Sequence, residues 1–506
     1  MTTPTVTTST RIIPAPVAVL GFGLALGITG DLMLRVMPWG LNFAAWLLLL
    51  LGAGAWIARQ ESVEMAPETP WLAITAFLLA LGFAMRDAEE MQVTTVLGLL
   101  GVLGATAAAA RGLQLRRTDI VTWLRHGFGV GLSTAIGILP LATVEMPWDK
   151  LRERGPLRHA AGVGVGILIA APLLLVFGTL FSQADAVFAN VIANLVRPEV
   201  LVPHVVWALV WTVLATGWLR YALLGRAAPA APVLGTAAFV PVTTALGLVT
   251  GLFLLFVAVQ LRYLFGGSGM VETTIGLTYA EYARRGYFEL VAASGLSLPV
   301  LIGAEWAVRA EPIERQRIVR RLATVLLGLL GVIVASALER MRLYVAAYGM
   351  TVDRMMAAAC EIFLLGLFVW FGVTALRGRP ERLPFGGFVW ALLSLAGLHA
   401  INPHAFVARW NTTRPSAEGK FDAEYLSHLS ADAAPVLFQA LPALAPADRC
   451  IIAKRLRQFG DDEHKGDWRS WNAARSSARR LALQHTAELD AACPAPATTP
   501  SDASQE

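Results

Sequence analysis

Residues 12–34 read IIPAPVAVLGFGLALGITGDLML and residues 39–57 read WGLNFAAWLLLLLGAGAWI, two apolar runs with only a short break between them. A hydrocarbon core needs about 20 predominantly apolar residues per crossing helix, so each run has spanning length. Further runs lie near residues 71–85, 91–110, 127–144, 160–181, 201–224, 233–259, 286–308, 322–338, 355–376 and 385–401. The pattern predicts an all-α fold, a polytopic transmembrane helical bundle of about 11 to 12 helices with a small, mostly helical polar C-terminal region. An apolar share of 56% against a charged share of 15% agrees with this reading.

Working outward, the chain divides into a Thr-rich tail over residues 1–10, a membrane domain over 11–401, a polar region over 402–490 and an Ala-, Pro-, Thr- and Ser-rich tail over 491–506. Neither tail has the apolar residues to offset ordering entropy, so both are expected to be disordered. Arg11 precedes a first run that has no small-residue cleavage site, which reads as a retained helix rather than a removed signal peptide.

The run at 127–144 is the weakest of the twelve, since it holds four glycines and Pro140 between basic loops. If every run crosses, Lys and Arg divide about thirteen to sixteen between the two sides, which is no bias. If 127–144 lies in the interface or re-enters, the division becomes about twenty to nine in favour of the N-terminal side. Eleven crossings then fit better, with a cytoplasmic N-terminus and the C-terminal region outside the cytoplasm, at the inner membrane of a cell. An oxidising compartment there would permit Cys450 and Cys493 to pair, while Cys360 sits in an apolar run and reads as a small hydrophobe.

Several phrases in the second half belong together. They are PLLLVFGTLFSQADAVF at 172–188, QLRYLFGG at 260–267, LTYAEYARRGYFEL at 277–290, SALERMRLYVAAYGMTVDR at 336–354, NPHAFVARWN at 402–411 and LSADAAPVL at 429–437. In combination they resemble a family of bacterial polytopic membrane proteins known only as domain of unknown function 4173, akin to 4153. The resemblance implies architecture and a membrane location, and no reaction, substrate or catalytic residue. Two positions depart from it: the residue after the NP pair is His404 where an acid is expected, and Val240 and Pro241 stand where the family has an acid.

Alternate loops of a bundle lie on the same side, which places these phrases on one face. The candidate polar cluster there is Asp185, Tyr282, Arg284, Glu289, Arg340, Arg342, Tyr344 and Glu361. Glu289 lies one turn into its run and Glu361 about 9 Å into its own, so both acids are expected to face the bundle interior. Arg284, Arg285, Arg340, Arg342 and Arg354 are the available counter-charges. If the helix near residue 322 continues through SALERMRLYVAAY, then Ser336, Arg340, Tyr344 and Tyr348 recur every four residues and could line a polar cleft. The competing reading makes them ordinary interfacial Arg and Tyr. Asp185 reads first as the cap of a short amphipathic helix carrying Val187, Phe188, Val191, Ile192 and Leu195.

Other chemistry finds little support. His399 and His404 have no acid or cysteine completing a ligand set, Gly266 and Gly267 lack the Lys and Ser of a phosphate loop, and no cofactor motif stands out. Pro172, Pro241 and Pro299 lie in or beside spans, as in broken transporter helices and in ordinary kinks alike. The formal charge of +5 is topological in origin rather than a nucleic-acid footprint. In the polar region, Asp467 is expected to cap a helix over 467–489 whose stripe is Trp468, Trp471, Ala474, Ala478 and Leu481, lying on headgroups or on the bundle. The partners implied are the lipid bilayer and an unidentified protein or small molecule. Three functions follow, in this order: a non-enzymatic membrane component of the envelope, a transporter of a small solute or lipid using Glu289 and Glu361, and a membrane-embedded transferase.

Overall fold

With no water in the hydrocarbon, a spanning segment must bond its own backbone, and each apolar run duly forms a helix. The computed structural model describes residues 14–148, 157–188, 198–225, 238–264, 287–413, 421–461 and 467–493, and among them there is no strand. The membrane helices are α1 (Ala15–Leu34), α2 (Leu41–Gln60), α3 (Thr69–Met85), α4 (Glu89–Ala110), α5 (Ile120–Ile136), α6 (Leu157–Ala184), α7 (Pro198–Leu224), α8 (Phe239–Leu264), α9 (Tyr287–Ala307), α10 (Ile313–Tyr348), α11 (Val352–Thr374) and α12 (Leu383–Ile401). Nine helices among the described residues are long and apolar enough to cross, ten if a bent pair counts as one span. The expected 11 to 12 is therefore not reached by length and composition, one reason being that α3 has only 17 residues.

The bent pair is the weak run. Ile120–Ile136 and Ile138–Glu145 meet at 64°. Pro140 brings no N–H for the Ile136 carbonyl, so one bond of the helical ladder is missing at the bend. Both limbs return to the same end of α7. His126 Nδ1 lies 2.9 Å from the Tyr221 hydroxyl, Ser133 Oγ donates to the Gly217 carbonyl at 2.9 Å, and Arg220 donates to Glu145 at 2.6 and 3.0 Å. The segment is bent against the end of α7, as a broken span or a re-entrant loop would be.

Helix α1 packs antiparallel on α7 through Gly23, Gly27 and Gly30. A Cβ on any of them would collide with Thr216, Thr212 or Trp211 of α7. Small residues of this kind let two backbones approach closely where lipid supplies no hydrophobic drive. Gly27→Leu is expected to cost about 1–3 kcal/mol by overpacking. Gly21→Leu, where a Cβ meets open space, should leave unfolding in detergent unchanged. Equal melting temperatures for both variants would contradict this packing.

The polar C-terminal region forms a small helical domain with its own core, including Leu426, Leu437, Ile452 and Leu456. It comprises α13 (Pro403–Thr413), α14 (Ala423–Ser427), α15 (Ala434–Ala440), α16 (Pro446–Gln458), α17 (Ala473–Gln484) and α18 (Thr486–Ala491). A Cys450–Cys493 disulfide closes 43 residues, a loop worth about 4 kcal/mol by chain-entropy reasoning. The helix expected over 467–489 is corrected. Asp467 caps only the turn Trp468–Ser470, and α17 starts later, with Asn472 accepting from Arg475 N. The tail expected to be disordered over 491–506 is corrected at its start, since Ala491 ends α18 and Cys493 is disulfide-bonded, while 1–10, 494–506, Gly266 and Gly267 lie outside the described residues.

Candidate functional site

Helices α8, α9, α10 and α11 pack together, and each inward face carries polar side chains that an apolar core does not need. Gln260, Tyr287, Ser294, Ser336 and Glu361 are all buried, Glu361 with 1% of its surface exposed. Their side chains hold polar atoms with no hydrogen-bond partner: both amide atoms of Gln260, the three hydroxyls and Glu361 Oε2. The Tyr287 hydroxyl lies beside the Glu361 carboxylate, but the two do not meet in hydrogen-bonding geometry. Around them stand Val257, Leu290, Ile333, Ala337 and Met341. An unbonded polar group in such surroundings costs about 1–3 kcal/mol, and a charge costs more. Five such residues on four packed helices, with Tyr287 and Glu361 side by side, make this the candidate site.

The residues singled out from the sequence are only partly brought together here. Glu361 enters the buried group. Glu289 does not: it is exposed, because it follows Tyr287 by two residues and so points roughly 200° away around α9. Helix α10 does run unbroken to Tyr348, at 36 residues about 54 Å long, well beyond a ~30 Å hydrocarbon core. Its inward face is Ser336, Ala337, Met341 and Val345, so the expected stripe splits. A four-residue step advances 400°, and by Tyr348 the drift from Ser336 is roughly 120°. Ser336 is buried, Arg340 and Tyr344 are half-buried, and Tyr348 is exposed.

Arg342 pairs on the surface with Glu339 at 2.6 Å, as an interfacial residue would. Tyr344 instead carries the Arg354 guanidinium 4.1 Å from its ring centroid. Asp185 is exposed, and its Oδ1 accepts from Val187 N at 2.7 Å and Phe188 N at 3.2 Å, the capping role. Tyr282 and Arg284 lie outside the described residues, as does the remainder of the short helix after Phe188.

Immediately beside this group the C-terminal domain grips the turn between α10 and α11. Asn411 holds both backbone groups of Met350, at 3.0 and 2.7 Å, and the Tyr425 hydroxyl accepts from Val352 N at 2.8 Å. Burial pushes the Tyr425 hydroxyl above the usual phenol range. A second grip lies at the α3–α4 turn. The Asp432 carboxylate, fully buried, accepts from Asp87 N at 2.7 Å and Ala88 N at 3.0 Å and faces Arg86. Arg475 donates to Asp87 at 2.7 Å. His404 accepts from Ser430 N at Nδ1, which leaves Nε2 to donate to Glu90 at 3.1 Å. His404 thus serves in a clamp, and among the described residues no group of three or more His, Cys, Asp or Glu could hold a metal.

The family model described as a domain of unknown function, DUF4153, matches residues 73–440. The chain belongs to this family. The match lends no support to the finer 4173 assignment, and no curated protein or solved structure matches the chain. The matched segment contains both the buried polar group and the clamp. The phrases carrying the resemblance supply Gln260, Tyr287 and Ser336 to the first, and Asn411, Ser430 and Asp432 to the second. The chain is a multi-pass membrane protein of this family, and the family carries no assigned activity.

Sequence reading missed Gln260, Tyr287, Ser294 and Ser336 as a group because it weighted charge. The available signal was spacing: Tyr287, Leu290, Ser294, Ser297 and Leu301 recur at helical intervals and are all buried. It also missed Asp31 beside His204, 2.5 Å apart between α1 and α7, and Glu305 beside Arg320 at 2.6 Å. Such pairs join different helices, 173 residues apart in the first case and 15 in the second, and leave no pattern within one helix.

Proposed function

We propose that the buried group around Glu361 binds a small cationic or hydrogen-bond-donating solute, and that the protein is a transporter or carrier of that solute. The observation that carries this is the Glu361 carboxylate itself. It is buried, has no ion-pair partner among the described residues, and lies beside the Tyr287 hydroxyl, itself without a hydrogen-bond partner. A purely structural carboxylate would be paired, as Glu305 and Asp432 are. Glu289, exposed to the surroundings of the bundle, has no part in it.

The proposed setting is the inner membrane, with eleven crossings, a cytoplasmic N-terminus and the C-terminal domain outside the cytoplasm. Support comes from the Cys450–Cys493 disulfide, which suits an oxidising compartment, and from the 64° bend of the weak run, which is compatible with a re-entrant segment that would put the basic loops on one side. An impermeant thiol reagent added to intact cells after mild reduction should label these cysteines. Labelling only after lysis would reverse the orientation.

The binding reading is tested by thermal unfolding of the purified full chain in detergent, against a panel of sodium, potassium, magnesium and small primary amines. At about 100 times its dissociation constant, a specific ligand stabilises by about 2.7 kcal/mol. At least one compound should raise the melting temperature of the wild type and not that of Glu361→Gln. A panel to which both proteins respond identically would overturn the reading. The docked C-terminal domain favours a second one, a non-enzymatic component whose extramembrane face meets a protein partner.

A further inference from the structure

The turn Trp468–Ser470 and helix α17 enclose a cavity of about 400 Å3, lined chiefly by Trp468, Trp471, Arg475, Arg479, Arg480 and Leu483. On α17, Arg475, Arg479 and Leu483 follow at four-residue steps, with Arg480 beside them, so one helix face supplies the basic wall.

The cavity lies where helices leave the membrane. Arg469 donates to the Leu32 carbonyl at the end of α1, Trp471 O accepts from Leu41 N at the start of α2, and Asn472 donates to the Phe83 and Arg86 carbonyls at the end of α3. Gly40 permits this approach, since a Cβ there would run into the Trp471 carbonyl. Trp468 and Trp471 remain 53% and 45% exposed. Exposed indoles beside helix ends are the pattern of the headgroup layer.

The charge inside is uncompensated. Asp467 is neutralised by Arg469 at 2.7 Å, and Arg475 is bound to Asp87 and to the Ser470 carbonyl. Among the described residues, neither Arg479 nor Arg480 has a carboxylate within 4 Å, and the buried Nε of Arg479 has no hydrogen-bond partner. Guanidinium groups present paired N–H donors that match a phosphate, and a basic pocket at a membrane surface suits an anionic headgroup.

We propose that this cavity binds the phosphate of an anionic lipid headgroup, with Arg479 and Arg480 on the phosphate and Trp468 and Trp471 at the level of the glycerol. The site is separate from Glu361 and does not depend on the function proposed for it.

The test is titration of the full chain in detergent with a short-chain phosphatidylglycerol, a matching phosphatidylcholine and inorganic phosphate, read by thermal unfolding and by native mass spectrometry of retained lipid. Phosphatidylglycerol should stabilise the wild type at concentrations at which phosphatidylcholine does nothing. Its apparent affinity should fall about ten-fold or more in the Arg479→Gln/Arg480→Gln double variant. Because these side chains make no ion pair among the described residues, that variant should match the wild type in melting temperature when lipid is absent. Arg479→Lys/Arg480→Lys should restore part of the affinity. Equal response of wild type and double variant to phosphatidylglycerol would overturn the site. An equal effect from inorganic phosphate alone would replace the lipid with a soluble anion, and so overturn the lipid assignment.

Discussion

Asp432→Ala is expected to free the C-terminal domain from the membrane helices at a cost of about 3–5 kcal/mol, the range for breaking a buried charged contact by removing one partner. The carboxylate is fully buried and reaches across the fold to the α3–α4 turn, where it accepts from two backbone N–H groups ahead of α4 and faces Arg86. Both donors lose their acceptor in the variant and have no water to replace it. Asp432→Asn retains one acceptor oxygen and should lose less. Limited proteolysis of the segment after α13, followed with time, checks the effect. Faster cleavage in Asp432→Ala than in Asp432→Asn, and in Asn than in wild type, is the expected order. Identical rates in all three would mean that the domain is held by its apolar contacts alone.

Glu361→Leu is expected to raise the melting temperature and to abolish any ligand response. Replacing a buried carboxylate that has no ion-pair partner among the described residues with an apolar side chain of similar size removes a desolvation cost; even the replacement of a whole buried ion pair by apolar residues is often neutral or stabilising by about 1–4 kcal/mol. Residues kept at such a cost serve a function rather than the fold. Glu361→Gln keeps the shape and one acceptor and should fall between the two. Strong destabilisation by Leu, with no change in ligand response across the panel, would make Glu361 a structural residue and sink the carrier reading. Destabilisation by both Leu and Gln, with the ligand response intact, would do the same.

The two variants bear on different levels of the chain. Glu361 was visible in the sequence because an acid inside an apolar run stands out against its neighbours. Asp432 was visible only as part of the phrase LSADAAPVL, since nothing near it in the chain shows that its partners are residues 86–88. The same contrast divides Glu289 from Tyr287. Two positions apart on one helix, the charged residue drew the reading, while the neutral one faces the interior. The expected stripe from Ser336 to Tyr348 failed because a four-residue repeat does not close on a 3.6-residue turn.

By itself the sequence determined that this is a multi-pass helical membrane protein, where most of its membrane helices begin and end to within a few residues, α5 and α10 excepted, and that Cys450 and Cys493 can pair. Those properties follow from hydropathy, helical period and the need of each spanning segment to satisfy its own backbone, all of them local. The tertiary structure alone decided that the weak run at α5 bends by 64° against α7, which inward faces carry Gln260, Tyr287, Ser294, Ser336 and Glu361 on four packed helices, and how the C-terminal domain grips two distant turns. These depend on the rotation of each helix about its axis and on pairings across hundreds of residues, which packing fixes and local pattern does not record.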